Sequence, residues 1–231
     1  MATSRDEFLQ RVRQAVSAGN RPGSTTAVGP RGAVGYQGAG PDPVARFRDE
    51  FTAAGGHAQL VADRSAAAAK ALELAQAQAV KRVLVGGGAL LESLNLLEPL
   101  RGLGMEVSSV QALQPETGRE AFFQADLGIS GVDYLVAETG SIALLARPGE
   151  PRSLSLLPPV HIAVAERSQL VPDLFDLFEA LGAHEGEATT QPALPSCVTL
   201  VTGPSKTGDI ELRLVTGVHG PGELHVILIT G

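Results

Sequence analysis

Apolar and polar residues repeat along this chain with two different periods, which predicts helices and strands in alternation. An amphipathic helix is expected at 4–18, where apolar residues recur every four positions after a capping box formed by Ser4 and Glu7. Further helical patterns and short apolar runs typical of strands follow it. The predicted helices lie at 44–54, from Ser65 onward and at 170–181, and the predicted strands at 57–62, 82–86, 106–110, 134–137, 142–146, 162–165, 198–202 and 224–229.

Alternation of this kind is typical of a parallel sheet covered by helices. Residues 138–141 separate two apolar runs by the length of a tight connection, so we expect one local hairpin and a mixed sheet. The predicted fold class is therefore α/β, a mostly parallel mixed sheet with helices on both faces. Within the 231 residues we expect an N-terminal helix plus a Gly/Pro-rich mobile loop at 1–43 and one α/β domain at 44–231.

Charge and composition narrow the function classes. The formal net charge of −7 disfavours nucleic acid and anionic membrane surfaces as partners. No apolar run reaches the ~18 residues of a membrane span, and the chain starts with acidic rather than apolar residues, so a cytoplasmic location is expected. The single cysteine, Cys197, excludes an internal disulfide or an iron–sulfur cluster held by this chain alone. Cys197 stands in an apolar run and is interpreted as a small buried hydrophobic residue.

Two glycine-rich segments do not match the motifs that they superficially resemble. The Gly86–Gly88 run follows a predicted strand, but Leu91 occupies the third glycine position of the dinucleotide fingerprint, so a structural turn is favoured over a weak anion site. The segment 203–208 places Asp209 where a phosphate loop of an ATPase requires lysine. The sequence therefore predicts no bound cofactor.

The segment 201–211 gathers hydroxyls, an ammonium and two carboxylates around glycines. We expect the strand at 198–202 to lead through Gly203 into a short helix beginning near Gly208, where Ser205, Lys206 and Thr207 bind an anion. The alternative is that a hydroxyl of this segment caps the helix while the ammonium stays in solvent.

The histidines predict no metal site, since no spacing among the five resembles that of metal ligands. His219, held between Val218 and Gly220, is a candidate general acid/base or a brace of its turn. His161 and His225 alternate with aliphatic residues in strands and are interpreted as structural.

Three segments together resemble the LUD-domain family, most closely the lactate utilisation protein C branch: 137–141 (Ala-Glu-Thr-Gly-Ser), 157–164 (Leu-Pro-Pro-Val-His-Ile-Ala-Val) and 201–221. The resemblance runs from about Gly128 to the C-terminus. It departs at Gly208, where the family carries a small residue such as alanine before the aspartate. The resemblance implies the α/β fold shared by ribose-phosphate isomerases, glucosamine-phosphate deaminases and CoA transferases.

The family resemblance implies a part in oxidising L-lactate to pyruvate beside iron–sulfur oxidoreductase subunits. The first hypothesis is a non-redox subunit of such a complex that binds a small anion or a partner, with the clusters in the partner subunits. The second is a stand-alone enzyme of the isomerase, CoA-transferase or folate cyclo-ligase type, using the carboxylate of Glu138 or Asp209. The third is a structural scaffold. Candidate catalytic residues are Glu138, Asp209 and His219, and candidate binding residues are Thr139, Gly140, Ser141, Gly203, Ser205, Lys206 and Thr207.

Overall fold

The computed structural model describes residues 4–19, 38–147, 149–183, 197–210 and 213–231. The chain divides into two compact units, 1–36 and 37–231. The helices are α1 (Arg5–Gly19), α2 (Pro43–Ala53), α3 (Arg64–Ala77), α4 (Ala89–Leu94), α5 (Leu97–Gly102), α6 (Pro115–Gln124), α7 (Ser153–Leu156) and α8 (Leu174–Ala183). The strands are β1 (His57–Val61), β2 (Arg82–Val85), β3 (Glu106–Ser109), β4 (Leu127–Gly131), β5 (Tyr134–Val136), β6 (Ser141–Leu145), β7 (Val160–Glu166), β8 (Leu170–Val171), β9 (Val198–Val201), β10 (Lys206–Ile210), β11 (Arg213–Thr216) and β12 (Glu223–Ile229).

The first unit contains the predicted amphipathic helix, α1. Its capping box is present: the N–H of Ser4 donates to Glu7 Oε2 at 3.0 Å, and the N–H of Glu7 donates to Ser4 Oγ at 3.2 Å. The predicted mobile loop at 19–43 falls largely on 20–37, which lie outside the described residues.

The second unit is built on a six-stranded sheet in the order β1-β12-β7-β4-β2-β3, in which every neighbouring pair is parallel. Helices α3, α4 and α5 cover one face, and α3 packs closely because the buried alanines Ala67, Ala71 and Ala75 form its inner stripe. The other face packs against α2 through the stacked rings of Phe47 and Phe51. The predicted α/β class, with helices on both faces, is confirmed.

The expected single mixed sheet is corrected to a parallel six-stranded sheet, a four-stranded sheet and the two-stranded pair β10-β11. The hairpin predicted at 138–141 does form, between β5 and β6, but it belongs to a separate four-stranded sheet in the order β8-β5-β6-β9. One face of this second sheet joins α2 in the core, and α8 packs on the other face through Leu177 and Leu181. Antiparallel β5 and β6 pair with each other locally, so they need no place in the parallel sheet.

The helix predicted at 170–181 is wrong in part, and the helix predicted near Gly208 is wrong entirely. Residues Leu170–Val171 form strand β8, and α8 begins only after Asp173, whose carboxylate accepts the N–H of Asp176 at 3.0 Å. No helix begins near Gly208, because 206–210 form β10, which pairs with β11 and sets Thr207 opposite Val215. Both are β-branched residues that favour strands.

Across the described segments, no helix is both long enough and apolar enough to cross a membrane.

Candidate functional site

The two predicted site loops lie at the same end of the strands of the second sheet. β5 and β9 both run antiparallel to β6, so they point the same way, and the register sets Val136 opposite Ser141 and Ile142 opposite Val201. The turn 138–141 follows β5, and the loop 202–205 follows β9. The structure therefore brings together two segments that are about 60 residues apart in sequence.

Three hydroxyls connect these loops. Ser141 Oγ lies 2.7 Å from Thr139 Oγ1 and 2.6 Å from Thr202 Oγ1. Glu138 is half-buried beside this chain of hydroxyls, and its N–H donates to the carbonyl of Pro172 at 3.0 Å. The three hydroxyls hydrogen-bond to one another, and these bonds hold the two loops together.

The C-terminal end of α2 packs closely against both loops. Gly140 has φ +60°, and a Cβ there would lie 2.2 Å from the backbone N of Phe51. Gly203 has φ +79°, and a Cβ there would lie 2.5 Å from the carbonyl oxygen of Ala54. Only glycine allows such close approach of backbone to backbone. These two predicted binding residues thus have a packing role.

Lys206 lies at the same helix end. Its ammonium donates to the carbonyl oxygen of Ala54, the C-cap of α2, where a cation is favourable. This contact places Lys206 on the fold rather than on a ligand. Because strand β10 begins at Lys206, where the helix was expected, neither Ser205 nor Thr207 is a helix cap, and that alternative is wrong.

Ser205 and His219 meet at a cavity of about 160 Å³. The loop 217–221 folds onto Ser205: the N–H of Ser205 donates to Pro221 O at 2.9 Å, and its carbonyl accepts the N–H of Gly217 at 3.0 Å. The cavity lies at the amino ends of β7 and β12, and its polar wall consists of Ser155, His161, Ser205 and His219.

His161, which the sequence predicts to be structural, lines this cavity. It is buried, and its Nε2 lies 2.9 Å from Ser130 Oγ, which itself donates to the carbonyl of Gly131 at 2.8 Å. Since the one hydroxyl proton of Ser130 is used there, Nε2 carries the proton toward Ser130 and Nδ1 is left as an acceptor. Burial lowers the pKa of His161 to about 4, so the ring is neutral at pH 7.

The remaining predicted residues lie away from this cavity. Glu138, Thr139, Ser141 and Lys206 are not among its lining residues, and Asp209 lies in β10, with its side chain outside the described part. No set of three or more metal-binding side chains is found within the described segments.

A cluster of three charged side chains, which no sequence motif marks, lies beside the carboxyl end of β4. Arg147 bridges two carboxylates, with Nη2 2.5 Å from Asp133 Oδ1 and Nη1 3.2 Å from Glu150 Oε2. Burial raises the pKa of Glu150, the charge of Asp133 raises it further, and Arg147 opposes both. Arg147 and Glu150 lie in the connection after β6, whereas Asp133 lies between β4 and β5, so no local pattern in the sequence marks this cluster.

Cys197 departs from its prediction. The side chain is half-exposed rather than buried, and Arg152 Nη1 donates to its Sγ at 3.5 Å. This hydrogen bond lowers the pKa of the thiol. The residue stands where β9 begins, at the edge of the second sheet, and this edge position keeps it out of the core.

This is an α/β protein: a parallel sheet covered by helices stands beside a second sheet whose strands end in polar loops. A family model described as the LUD domain matches residues 44–229, and the chain therefore belongs to the LUD-domain family. It is 33% identical over 166 residues to the Escherichia coli protein YkgG, a match that covers 71% of this chain and 69% of that protein. It is 45% identical over 98 residues to a lactate utilization protein C of Halalkalibacterium halodurans, which covers 42% of this chain and 41% of the relative.

The fold has a solved counterpart. The crystal structure of a DUF162 family protein from Deinococcus radiodurans matches with a TM-score of 0.54 and 26% identity, over 82% of this chain and 96% of that one. Matches to three of the relatives named lactate utilization protein C span between 41% and 52% of their own length.

Proposed function

We propose that this chain acts in lactate utilisation as a cytoplasmic subunit without a redox centre of its own, beside iron–sulfur oxidoreductase subunits that oxidise L-lactate to pyruvate. Several relatives are named lactate utilization protein C, which supports the pathway. The single cysteine supports placing the clusters in partners, because a cluster normally needs four thiolates.

The cavity between Ser205 and His219 is the proposed site for the small hydroxy or keto acid. Its volume of about 160 Å³ exceeds the ~30 Å³ that one water occupies in the liquid, so it has room for a ligand of a few heavy atoms. A carboxylate there would accept from the hydroxyl of Ser205 and from the imidazole of His219. The acceptor Nδ1 of His161 would receive the proton of a 2-hydroxyl group.

Ligand binding is tested by calorimetry and thermal unfolding with L-lactate, D-lactate, pyruvate and phosphate. L-lactate or pyruvate is expected to raise the melting temperature, and His219→Gln and Ser205→Ala are each expected to weaken binding by about tenfold, the worth of a charge-assisted hydrogen bond. His57→Gln, outside the cavity at the start of β1, is the matched control. The ligand site is rejected if none of the acids binds, or if both cavity variants bind like the parent.

The same binding and unfolding experiments distinguish between two roles of Lys206: binding of the anion and stabilisation of the end of α2. An ammonium that binds the anion predicts weaker binding in Lys206→Ala and unchanged stability. The contact with Ala54 O predicts the opposite: binding is kept, and the free energy of unfolding falls by about 0.5–1 kcal/mol through the lost interaction at the helix end.

The subunit role is tested independently of the ligand. We expect the purified chain to be colourless, to co-purify with iron–sulfur partners, and to be required for full L-lactate-dependent dye reduction by the assembled complex. Dye reduction that is unchanged when the chain is omitted rejects the subunit role. A chain that co-purifies and binds no acid is a structural scaffold.

A further inference from the structure

A larger cavity lies at the opposite edge of the main sheet. Its volume is about 530 Å³, within the ~300–1,000 Å³ typical of small-molecule sites. Val85, the last residue of β2, and Ser109, the last residue of β3, both line it. The acid-binding cavity is instead lined by residues at the amino ends of β7 and β12, so the two cavities are separate.

The topology explains why a cavity forms here. After β2 the chain turns to α4 and α5 on the face of Val83 and Val85, whereas after the neighbouring β3 it turns to α6 on the opposite face, that of Leu84. Loops that leave adjacent parallel strands in opposite directions open a crevice at the carboxyl edge, the usual ligand position in open α/β sheets.

The glycine turn after β2 forms one wall of this cavity. The N–H of Gly86 donates to Ile129 O at 2.8 Å, and the N–H of Gly87 donates to Gly149 O at 3.0 Å. These two amides are therefore used by the fold and cannot hold an anion, in agreement with the predicted structural turn.

The charges of the lining select against anions as well. Glu92 and Glu98 line the cavity, and no lysine or arginine is among the lining residues. Glu98 is paired with Arg101, 2.6 Å from it, whereas no ion-pair partner of Glu92 is found among the described residues. Buried leucines, Leu91 and Leu96, supply an apolar floor. The lining is thus complementary to an apolar body that carries a cationic or donor group.

We propose that this carboxyl-edge cavity, between the Gly86–Gly87 turn and α4–α5, is a second small-molecule site that binds an organic amine with an apolar portion. Glu92 pairs with the ammonium, and the leucines contact the apolar part. Gln111, whose amide lies against Gly87, supplies a hydrogen-bonding group at the rim. The site does not depend on the acid-binding function proposed above.

The test uses tryptamine and indole-3-acetate, which share a ring and carry opposite charges, with the full chain in calorimetry and in NMR of labelled leucine methyls. Tryptamine is expected to bind saturably and to shift methyl signals of the cavity leucines. Indole-3-acetate is expected to bind at least tenfold more weakly. Glu92→Gln should weaken tryptamine binding by about fivefold, the upper end for an exposed charge pair.

Two further variants complete the test. Pro99→Trp fills the cavity from the exposed surface of α5 and should abolish tryptamine binding with little change in the melting temperature, since Pro99 lies in the first turn of α5, where its backbone nitrogen has no helical hydrogen bond to lose or gain. Glu106→Gln, at the amino end of β3, is the matched control and should bind like the parent. Absence of tryptamine binding, equal binding of the two indoles, or full binding by Pro99→Trp overturns the proposal. A His219→Gln variant that loses acid binding and keeps tryptamine binding separates this site from the first.

Discussion

Ser141 Oγ lies 2.6 Å from Thr202 Oγ1, across two loops of the second sheet that are 61 positions apart. Ser141 also contacts Thr139, so its single hydroxyl is the middle of a three-member chain. This contact holds the turn after β5 against the loop after β9, and the second loop continues directly into residues that line the cavity between Ser205 and His219. The position of Ser205 is thus coupled to a side chain that does not line the cavity itself.

Ser141→Ala should lower the free energy of unfolding by about 1 kcal/mol, because it removes the buried hydroxyl that joins the half-buried Thr139 to the exposed Thr202. Urea denaturation measures this loss. Ser168→Ala, an exposed serine in the short turn before β8, is the matched control and should change stability by less than about 0.5 kcal/mol. An equal effect of the two variants would show that the chain of hydroxyls contributes nothing to stability.

Gly140→Ala should destabilise the protein by more than about 2 kcal/mol. The added Cβ would lie 2.2 Å from the backbone of Phe51, and the φ of +60° is strained for alanine. Gly102→Ala is the control, since a Cβ at Gly102 meets no atom within 4 Å and alanine favours the helix there. Thermal unfolding should show a large fall in melting temperature for the first variant and none for the second.

The sequence predicted the elements whose apolar period is regular. β7 and β12 are nearly continuous aliphatic runs buried on both faces, α2 carries a helical apolar stripe, and α3 is capped and rich in alanine, so their types could be identified without a structure. β4 was missed although it lies inside the sheet, because Gly128, Ser130 and Gly131 interrupt its hydrophobic pattern. At Gly128 a Cβ would lie 2.3 Å from Leu154 O, so tertiary packing, which is invisible locally, requires glycine there.

The candidate site was predictable only in part. The loops at 138–141 and 203–221 were identified by their polar residues, and the direction of β5 and β9 does place them at one edge of a sheet. The role of Lys206 depends on the position of the end of α2, 152 residues away, which no local pattern encodes. A histidine in an apolar strand is more often structural, so the sequence alone does not distinguish His161, and its place in the cavity wall is visible only in the folded chain.

Arg147→Met should destabilise the protein by about 1–2 kcal/mol at pH 8, because it leaves Asp133 and Glu150 as neighbouring carboxylates without their shared cation. The pKa of Glu150 is already raised, and loss of the arginine raises it further. A raised carboxyl pKa makes the cost largest where Glu150 is ionised, so the destabilisation should shrink as the pH falls through that pKa. Urea titrations at pH 8 and pH 5 measure the difference.

The controls for Arg147 are a rescue and a surface pair. Adding Glu150→Gln to Arg147→Met should restore most of the stability at pH 8, since one of the two charges is removed. Arg64→Met breaks the exposed pair with Glu166, at 2.8 Å, and should cost less than about 1 kcal/mol at either pH. A loss in Arg147→Met that does not depend on pH would mean that packing of its aliphatic stem, rather than charge, accounts for the effect.

His161 should make the protein less stable in acid. Burial lowers its pKa from 6.5 to about 4, and an imidazole whose folded pKa lies below its unfolded pKa takes up its proton preferentially in the unfolded chain. Stability from this residue is therefore complete above about pH 6.5 and is lost as the pH falls toward 4. Between pH 7 and pH 5 the loss should be about 2 kcal/mol by linkage.

His161→Gln removes the titrating ring and should flatten this part of the pH dependence, even if the variant is less stable at pH 7. The two proteins are compared by urea denaturation at half-unit steps from pH 7.5 to pH 5. His225, whose pKa is also lowered mainly by burial, acts in the same direction in both proteins and cancels in the difference between them. If the two curves fall in parallel, the ring of His161 accepts a proton without cost in the folded state. The assignment of a neutral, buried ring to His161 would then be wrong.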